Sequence, residues 1–284
     1  MLSYRHGFHA GNHADVLKHG VVSLIVQYLC LKDKPFFYLD THAGTGRYDL
    51  ESAQALKNRE HESGIVRLLR HKPVPLLLEP WVQVIQAANQ GNRLRFYPGS
   101  PRLVRQLIRP GDRMSLCERH STELALLREE FADDSAVRVL DCDGYQALKT
   151  LLPPPERRGL VLMDPAYEAR DEWHRLLGGI RDAHRRWPTG ILAIWYPIQD
   201  RATADERLRK IKRLGIPATL LIELSVLPQD EVPRMTGSGL IVINPPWTLA
   251  DQMRSLLPAL REILSPRQQG GHRLEWLVAE TGSA

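Results

Sequence analysis

The chain has 284 residues, 43% of them hydrophobic, enough to bury the core of one large α/β domain or of a domain carrying an insertion. Its formal net charge of +5 permits an anionic partner without demanding one. Cys30, Cys117 and Cys142 form no CxxC pair, which argues against a disulfide scaffold, and no apolar run has the length of a signal core or a membrane span; we expect a cytoplasmic protein without membrane contact.

The first twenty residues, MLSYRHGFHAGNHADVLKHG, carry Tyr4, Arg5 and histidines at positions 6, 9, 13 and 19. His9 and His13 are four apart, which on a helix would put them on one face as metal ligands. No cysteine or acidic partner completes a set, so no metal is expected. Residues 1–20 are expected to be a polar, partly mobile N-terminal tail whose flat aromatic and cationic side chains a nucleic acid could order. From 14 to 31 the apolar spacing (Val16, Leu17, Val21, Val22, Leu24, Ile25, Leu29) predicts a helix.

Residues 36–39 read as a strand that Asp40 ends. Gly44 and Gly46 then let the backbone pass close to a ligand, and a GxG at this distance from a strand-terminal carboxylate is a nucleoside-binding arrangement. No third glycine stands at dinucleotide spacing, which disfavours NAD. The next clear strand is 114–117, so about forty residues are extra to a plain βαβ unit. Helical patterns broken by Pro73, Pro75 and Pro80 predict a small helical subdomain inserted over 51–95. Ser100 is expected to cap the following helix with Pro101 at its first position, its free N–H groups facing the glycine loop as a seat for a ligand carboxylate.

Glu118 ends the second strand, Asp143-Gly144 follows the third (137–140), and Asp164 ends the fourth (160–163). Further strands at 190–196, 220–224 and 239–243 bring the total to seven. The expectation is a Rossmann-like, mainly parallel seven-stranded sheet in one domain spanning 1–284. Two basic helices, 173–187 and 206–215, follow strands four and five on the ligand edge and suit a nucleic acid.

Asp40, Glu118 and Asp164, with Asp143-Gly144 and the glycine loop, would make a nucleoside-sized cup, Glu118 accepting two ribose hydroxyls. Asp164-Pro165-Ala166-Tyr167 resembles the (Asp/Asn/Ser)-Pro-Pro-(aromatic) signature of amino-methyltransferases acting on adenine N6. The Asp164 carboxylate and the Pro165 carbonyl would grip the two exocyclic N–H groups and favour a pyramidal, nucleophilic nitrogen, with positioning supplying most of the acceleration. Tyr167 would stack on a base lifted from its strand, worth roughly 1–3 kcal/mol. Asn244-Pro245-Pro246-Trp247 repeats the signature but follows the seventh strand, far from the glycine loop; a structural turn with Trp247 packed is expected there.

YRHGFHAGNHADVLKH, YLDTHAGTGRY, YPGSP, the Asp-Pro-x-Tyr tetrapeptide and INPPW, in this order, resemble the bacterial RlmJ family of 23S ribosomal RNA adenine-N6 methyltransferases over essentially the whole chain. The resemblance implies S-adenosylmethionine as methyl donor and protein-free 23S rRNA as substrate. It implies cofactor contacts from His19, His42, Ser100, Glu118, Asp143, Gly144 and Asp164, to which the glycine loop adds Gly44 and Gly46. It implies an RNA contact at Tyr4, with Arg5, His6 and Tyr167 as further candidates. Ala166 departs from the family's second proline and relaxes one φ angle, an effect of about 1 kcal/mol; a working enzyme is still expected. The alternatives are a DNA adenine-N6 methyltransferase, a non-catalytic rRNA-binding assembly factor, and a methyltransferase for a small molecule or a protein glutamine. No obligate protein partner is evident, and a monomer is expected.

Overall fold

Strands whose side chains are apolar on both faces form the centre of the molecule. In the computed structural model, which describes residues 4–91, 93–228, 235–265 and 269–280, β1 (Phe37–Asp40) is buried along its whole length. It lies between β4 (Arg113–Cys117) and β6 (Gly159–Met163), and both pair with it in parallel. β5 (Val137–Leu140) extends the sheet beyond β4, and β7 (Ile191–Ile198) extends it beyond β6, again in parallel. β9 (Gly237–Ile243), β8 (Thr219–Ser225) and β10 (Gly271–Val278) then add antiparallel, in that spatial order. The sheet thus has eight strands and not the expected seven. The eighth, β10, is an edge strand with Arg273, Glu275 and Trp276 among its residues. It is held by main-chain pairing to β8, which leaves no apolar pattern to read.

α1 (His13–Cys30) is buried nearly all round, as a helix wedged between layers must be. Its N-terminus is fixed by Asn12, whose side chain accepts from the Ala14 and Asp15 N–H groups. Between β2 (Arg47–Asp49) and β3 (Phe96–Pro98), an antiparallel pair, lie α2 (Ala53–Asn58), α3 (Glu60–Ser63), α4 (Ile65–Arg70) and α5 (Glu79–Ala87). Leu78 and Trp81 of this helical stretch share one apolar cluster with Val21 and Ile25 of α1.

The expectation of a mobile tail fails for residues 4–12. Ile65 N–H donates to the Gly11 carbonyl at 2.8 Å, and Asn12 and His9 both meet the Glu60 carboxylate at 2.9 Å. The helices between β2 and β3 offer this segment a polar floor that the sequence does not announce. The capping role assigned to Ser100 also fails: Gly99 is the N-cap of α6 (Ser100–Leu107), and the Ser100 hydroxyl donates to Asp40 instead.

β9 runs against β7, with Gly237 opposite Ile198 and Ile243 opposite Leu192. Asn244-Pro245-Pro246-Trp247 therefore leaves the sheet at the amino edge of the parallel strands, away from Asp164. Asn244 takes φ +52° and donates to the Pro188 and Gly190 carbonyls, a structural turn as expected, but Trp247 is 78% exposed and not packed. Among the described residues, no helix is long and apolar enough to cross a membrane.

Candidate active site

All five parallel strands end at one edge of the sheet, where open α/β folds hold their ligands. The loops leaving that edge, with residues from the N-terminal segment and α1, line a cleft of about 1370 Å³. Asp164, Pro165 and Tyr167 lie in its wall, as do His19, His42, Gly44, Ser100, Glu118, Asp143, Gly144, Tyr4 and His6. Two sequence candidates do not. Arg5 precedes a short 3₁₀ turn (His6–Phe8) and is not part of the lining. Gly46 sits behind it at φ +80°, its carbonyl accepting from Gly99 N–H, so it anchors the start of α6 and not a ligand.

The first half of the cleft is built on β1, β4 and β5. Gly44 turns the chain at φ +62° and donates its N–H to Glu118 Oε2 at 2.8 Å; a Cβ there would lie 2.1 Å from the Tyr48 hydroxyl. Glu118 Oε1 accepts from the Arg119 and His120 N–H groups, both at 2.7 Å. Three of the carboxylate's roughly four acceptor positions are thus filled, leaving room for about one ribose hydroxyl where two were expected. Asp143 caps α8 (Gly144–Leu151) and pairs with Arg175 and Arg119. Gly144 lies so close to Thr41 that a Cβ would meet its carbonyl at 2.3 Å. Asp40 belongs to none of this. It is fully buried, accepts from the Tyr38 and Ser100 hydroxyls and the His42 N–H, and burial pushes its carboxyl up to about 6.

Of the histidines lining the cleft, His42 and His19 are those expected to contact the cofactor. His42 lies beside Thr41 and packs edge-on against Tyr145, and burial favours its neutral form. His19 is 1% exposed; its Nδ1 is 2.6 Å from the Tyr97 hydroxyl, while its Nε2 has no hydrogen-bond partner among the described residues. Burial pushes this imidazole down to about 3, so the ring is neutral, with its buried Nε2 4.0 Å from Asp15 Oδ1.

The second half of the cleft surrounds the tip of β6. Lys18 of α1, 5% exposed, stands 2.6 Å from Asp164 Oδ2 and 2.9 Å from Asp15 Oδ1. Burial alone would lower the Lys18 pKa, but the two carboxylates raise it well above its ordinary value. Asp15 is held in turn by His6 Nε2 at 2.9 Å and the Gly11 N–H at 2.8 Å. Asp164 Oδ1 accepts no hydrogen bond from the described residues. Tyr167 takes φ +56°, a costly conformation for an aromatic residue, and donates its hydroxyl to the Trp195 carbonyl at 2.5 Å. Its ring lies against Trp173 and Trp195, with centroids 5.4 and 6.0 Å away. Tyr4 stacks on His9 at 5.6 Å at the lip.

Sequence reasoning missed Asp15, Lys18 and Trp195. The available signal was a pair of charges three residues apart inside an apolar helical run, since buried charges require partners. The basic helices are only partly at this edge. α9 (Glu172–Arg186) and α10 (Arg201–Lys212) each begin at the cleft, with Arg175 and Arg207 in its lining, but their basic last turns lead toward the opposite edge.

A family model described as ribosomal RNA large subunit methyltransferase D, RlmJ, matches residues 33–278. The chain is 48% identical over 280 residues to ribosomal RNA large subunit methyltransferase J of Escherichia coli, covering 99% of this chain and all of the relative. It is 45% identical over 281 residues to the protein of the same name from Haemophilus influenzae, with the same coverage. A crystal structure of a Legionella pneumophila protein superposes with a TM-score of 0.87 at 37% identity, covering 94% of this chain and 98% of that one.

Proposed function

The chain belongs to the RlmJ family of large-subunit ribosomal RNA methyltransferases, and from that premise we propose that it methylates N6 of one adenine in protein-free 23S rRNA. It is an S-adenosylmethionine-dependent rRNA methyltransferase. The alternatives of a DNA methyltransferase or a non-catalytic assembly factor find no support in this family.

The cleft suits the donor. The last acceptor position of Glu118 and the imidazoles of His19 and His42 in the same wall are polar groups that a nucleoside carrying an amino-acid tail would meet, while Gly44 and Gly144 let Tyr48 and Thr41 pack tightly against the loops around it. In our reading His19, His42, Ser100, Glu118, Asp143 and Gly144 hold it. When bound it supplies an electrophilic sulfonium methyl.

The free Oδ1 of Asp164 carries the reading of the reaction. Lys18 fixes Oδ2, so the carboxylate has one defined face toward the cleft. Oδ1 and the Pro165 carbonyl accept the two N–H groups of the exocyclic amine, drawing its lone pair out of the ring. The nitrogen's extra proton leaves to Asp164 or to water, and no strong base is needed. Tyr167, with its hydroxyl tied to Trp195, offers a fixed aromatic wall for the extruded base, and Tyr4 an RNA contact at the lip. We further propose a monomer working in the cytoplasm, one domain over 1–284 with an inserted helical subdomain at 51–95.

The test is transfer of labelled methyl from S-adenosylmethionine to protein-free 23S rRNA, with duplex DNA in parallel and mass spectrometry of the product nucleoside. N6-methyladenosine in the RNA alone is the expected result. Methylation at another atom, or of DNA at a comparable rate, would refute the proposal.

A further inference from the structure

Among the described residues, five Lys and Arg side chains line the cleft: Lys18, Lys57, Arg119, Arg175 and Arg207. Acids of the same wall occupy three of them. Lys18 serves Asp15 and Asp164, while Arg119 and Arg175 both serve Asp143. Lys57 lies over the Phe8 ring at 5.7 Å, on the side of the inserted helices. Arg207 is different. Its guanidinium lies over the Trp173 ring, 4.9 Å from the centroid, and makes no hydrogen bond or ion pair with any described residue. It is half-buried, and burial lowers its pKa from the ordinary arginine value. A guanidinium whose N–H donors meet no acceptor among the described residues and remain open to the cleft is free to take an anion there.

Its position says which anion. Trp173 packs against both Arg207 and the Tyr167 ring, and Tyr167 is three residues from Asp164. A nucleotide extruded to present its base to Asp164 and Tyr167 brings its flanking phosphates into the cleft with it. A guanidinium matches a phosphate bidentately, and stacking on an indole pre-orients the fork. We propose that Arg207 grips one of the two phosphates flanking the target adenosine and so positions the extruded nucleotide. This inference rests on the reading of the cleft as an adenine-methylating site.

The test uses the full chain, labelled S-adenosylmethionine and synthetic RNA hairpins containing the target adenosine. In these hairpins the 5′ or the 3′ flanking phosphate is replaced singly by a neutral methylphosphonate. Arg207→Gln should raise the KM for RNA about tenfold with kcat within about a factor of two, as expected for a lost charged hydrogen bond. It should also flatten the dependence of log(kcat/KM) on log salt by about 0.7, the share of one phosphate in a single strand. One of the two methylphosphonates should impair the native protein equally and the Arg207→Gln protein no further. Arg207→Lys, which keeps the charge and loses the fork, should fall between them.

Additive losses from the variant and the methylphosphonate, or an unchanged salt slope, would overturn the proposal. So would a fall in kcat at constant KM, which would mean that Arg207 only packs Trp173. Thermal unfolding and cofactor titration of each variant separate these outcomes from misfolding, in which case Arg207→Lys decides. The same comparison by fluorescence anisotropy decides Arg207 even where no methyl is transferred, a result that would strike only the underlying reaction.

Discussion

The ammonium of Lys18 lies 2.6 Å from the carboxylate of Asp164, joining the middle of the first helix to the tip of the strand that carries the proposed chemistry. The same ammonium neutralises Asp15, which is 1% exposed. Lys18→Met would leave two carboxylates facing each other without their cation and should cost roughly 3–5 kcal/mol, the usual result of breaking a buried pair. Asp164→Asn should cost less, because Asp15 still holds Lys18, yet it should abolish methyl transfer while RNA binding persists. Urea unfolding of the two variants checks the order. Equal stability losses would show that the Asp15 contact adds nothing to holding Lys18.

Glu118 accepts three backbone N–H bonds, from Gly44, Arg119 and His120. Glu118→Gln forces an amide NH₂ against at least one of those donors and removes an acceptor from the cleft. Cofactor affinity measured by calorimetry should fall about ten- to a hundredfold, the scale of a lost charge-assisted bond. Turnover at saturating donor should change little. Unchanged affinity would remove Glu118 from the cofactor site.

Ala166 follows Pro165 in the loop where Tyr167 holds φ +56°. Ala166→Pro should stiffen the approach to Tyr167, with a gain of order 1 kcal/mol in pre-organisation, equivalent to about fivefold in rate. Single-turnover methylation measures it. A slower variant would contradict the account of this tetrapeptide as a loosened form of the family motif.

Asp40 supplies a pH test of the fold beneath the site. Its folded pKa is pushed up to about 6 from an ordinary value of 3.8, burial being the largest cause and Asp164 a smaller one. A carboxyl raised in this way stabilises the folded state below its unfolded pKa and loses that contribution as pH rises through the folded one. Two units correspond to about 3 kcal/mol. The stability of the native chain relative to Asp40→Asn should therefore fall by about that amount between pH 4 and pH 7. Subtraction cancels the buried histidines common to both proteins. A difference independent of pH would show that Asp40 ionises normally.

What the sequence made legible follows from where burial leaves a mark. Leu160 to Met163 read as a strand because both faces are buried, and the acid after it read as a site because it closes such a run. β10 left no mark, since its contribution is main-chain pairing at an open edge. Ser100 was misread because a serine before a helix is a general capping signal, and only tertiary contact shows that Asp40 claims its hydroxyl. Lys18 was missed although a charge inside an apolar helical run signals burial, and its partner lies 146 positions away. The acids of the cup came from local strand endings, whereas the cations that set them came from other elements.

Arg185 and Arg186 show how strand direction corrects a charge argument. They occupy the last turn of α9, a helix of 15 residues that starts at the cleft edge after β6 and runs back to the start of β7. At 1.5 Å per residue that turn lies about 20 Å from the helix's first turn, beyond a Debye length at physiological salt. Arg185 is moreover paired with Asp182. From the sequence this basic run is expected to suit a nucleic acid; the geometry reverses that expectation for its last turn. Arg185→Gln with Arg186→Gln should leave both the affinity for 23S rRNA and its salt dependence unchanged, whereas Arg207→Gln reduces the slope. Filter binding across a salt series compares the two. A flattened slope in the double variant would mean that the rRNA reaches the opposite edge of the sheet, and the footprint would have to be redrawn around the molecule.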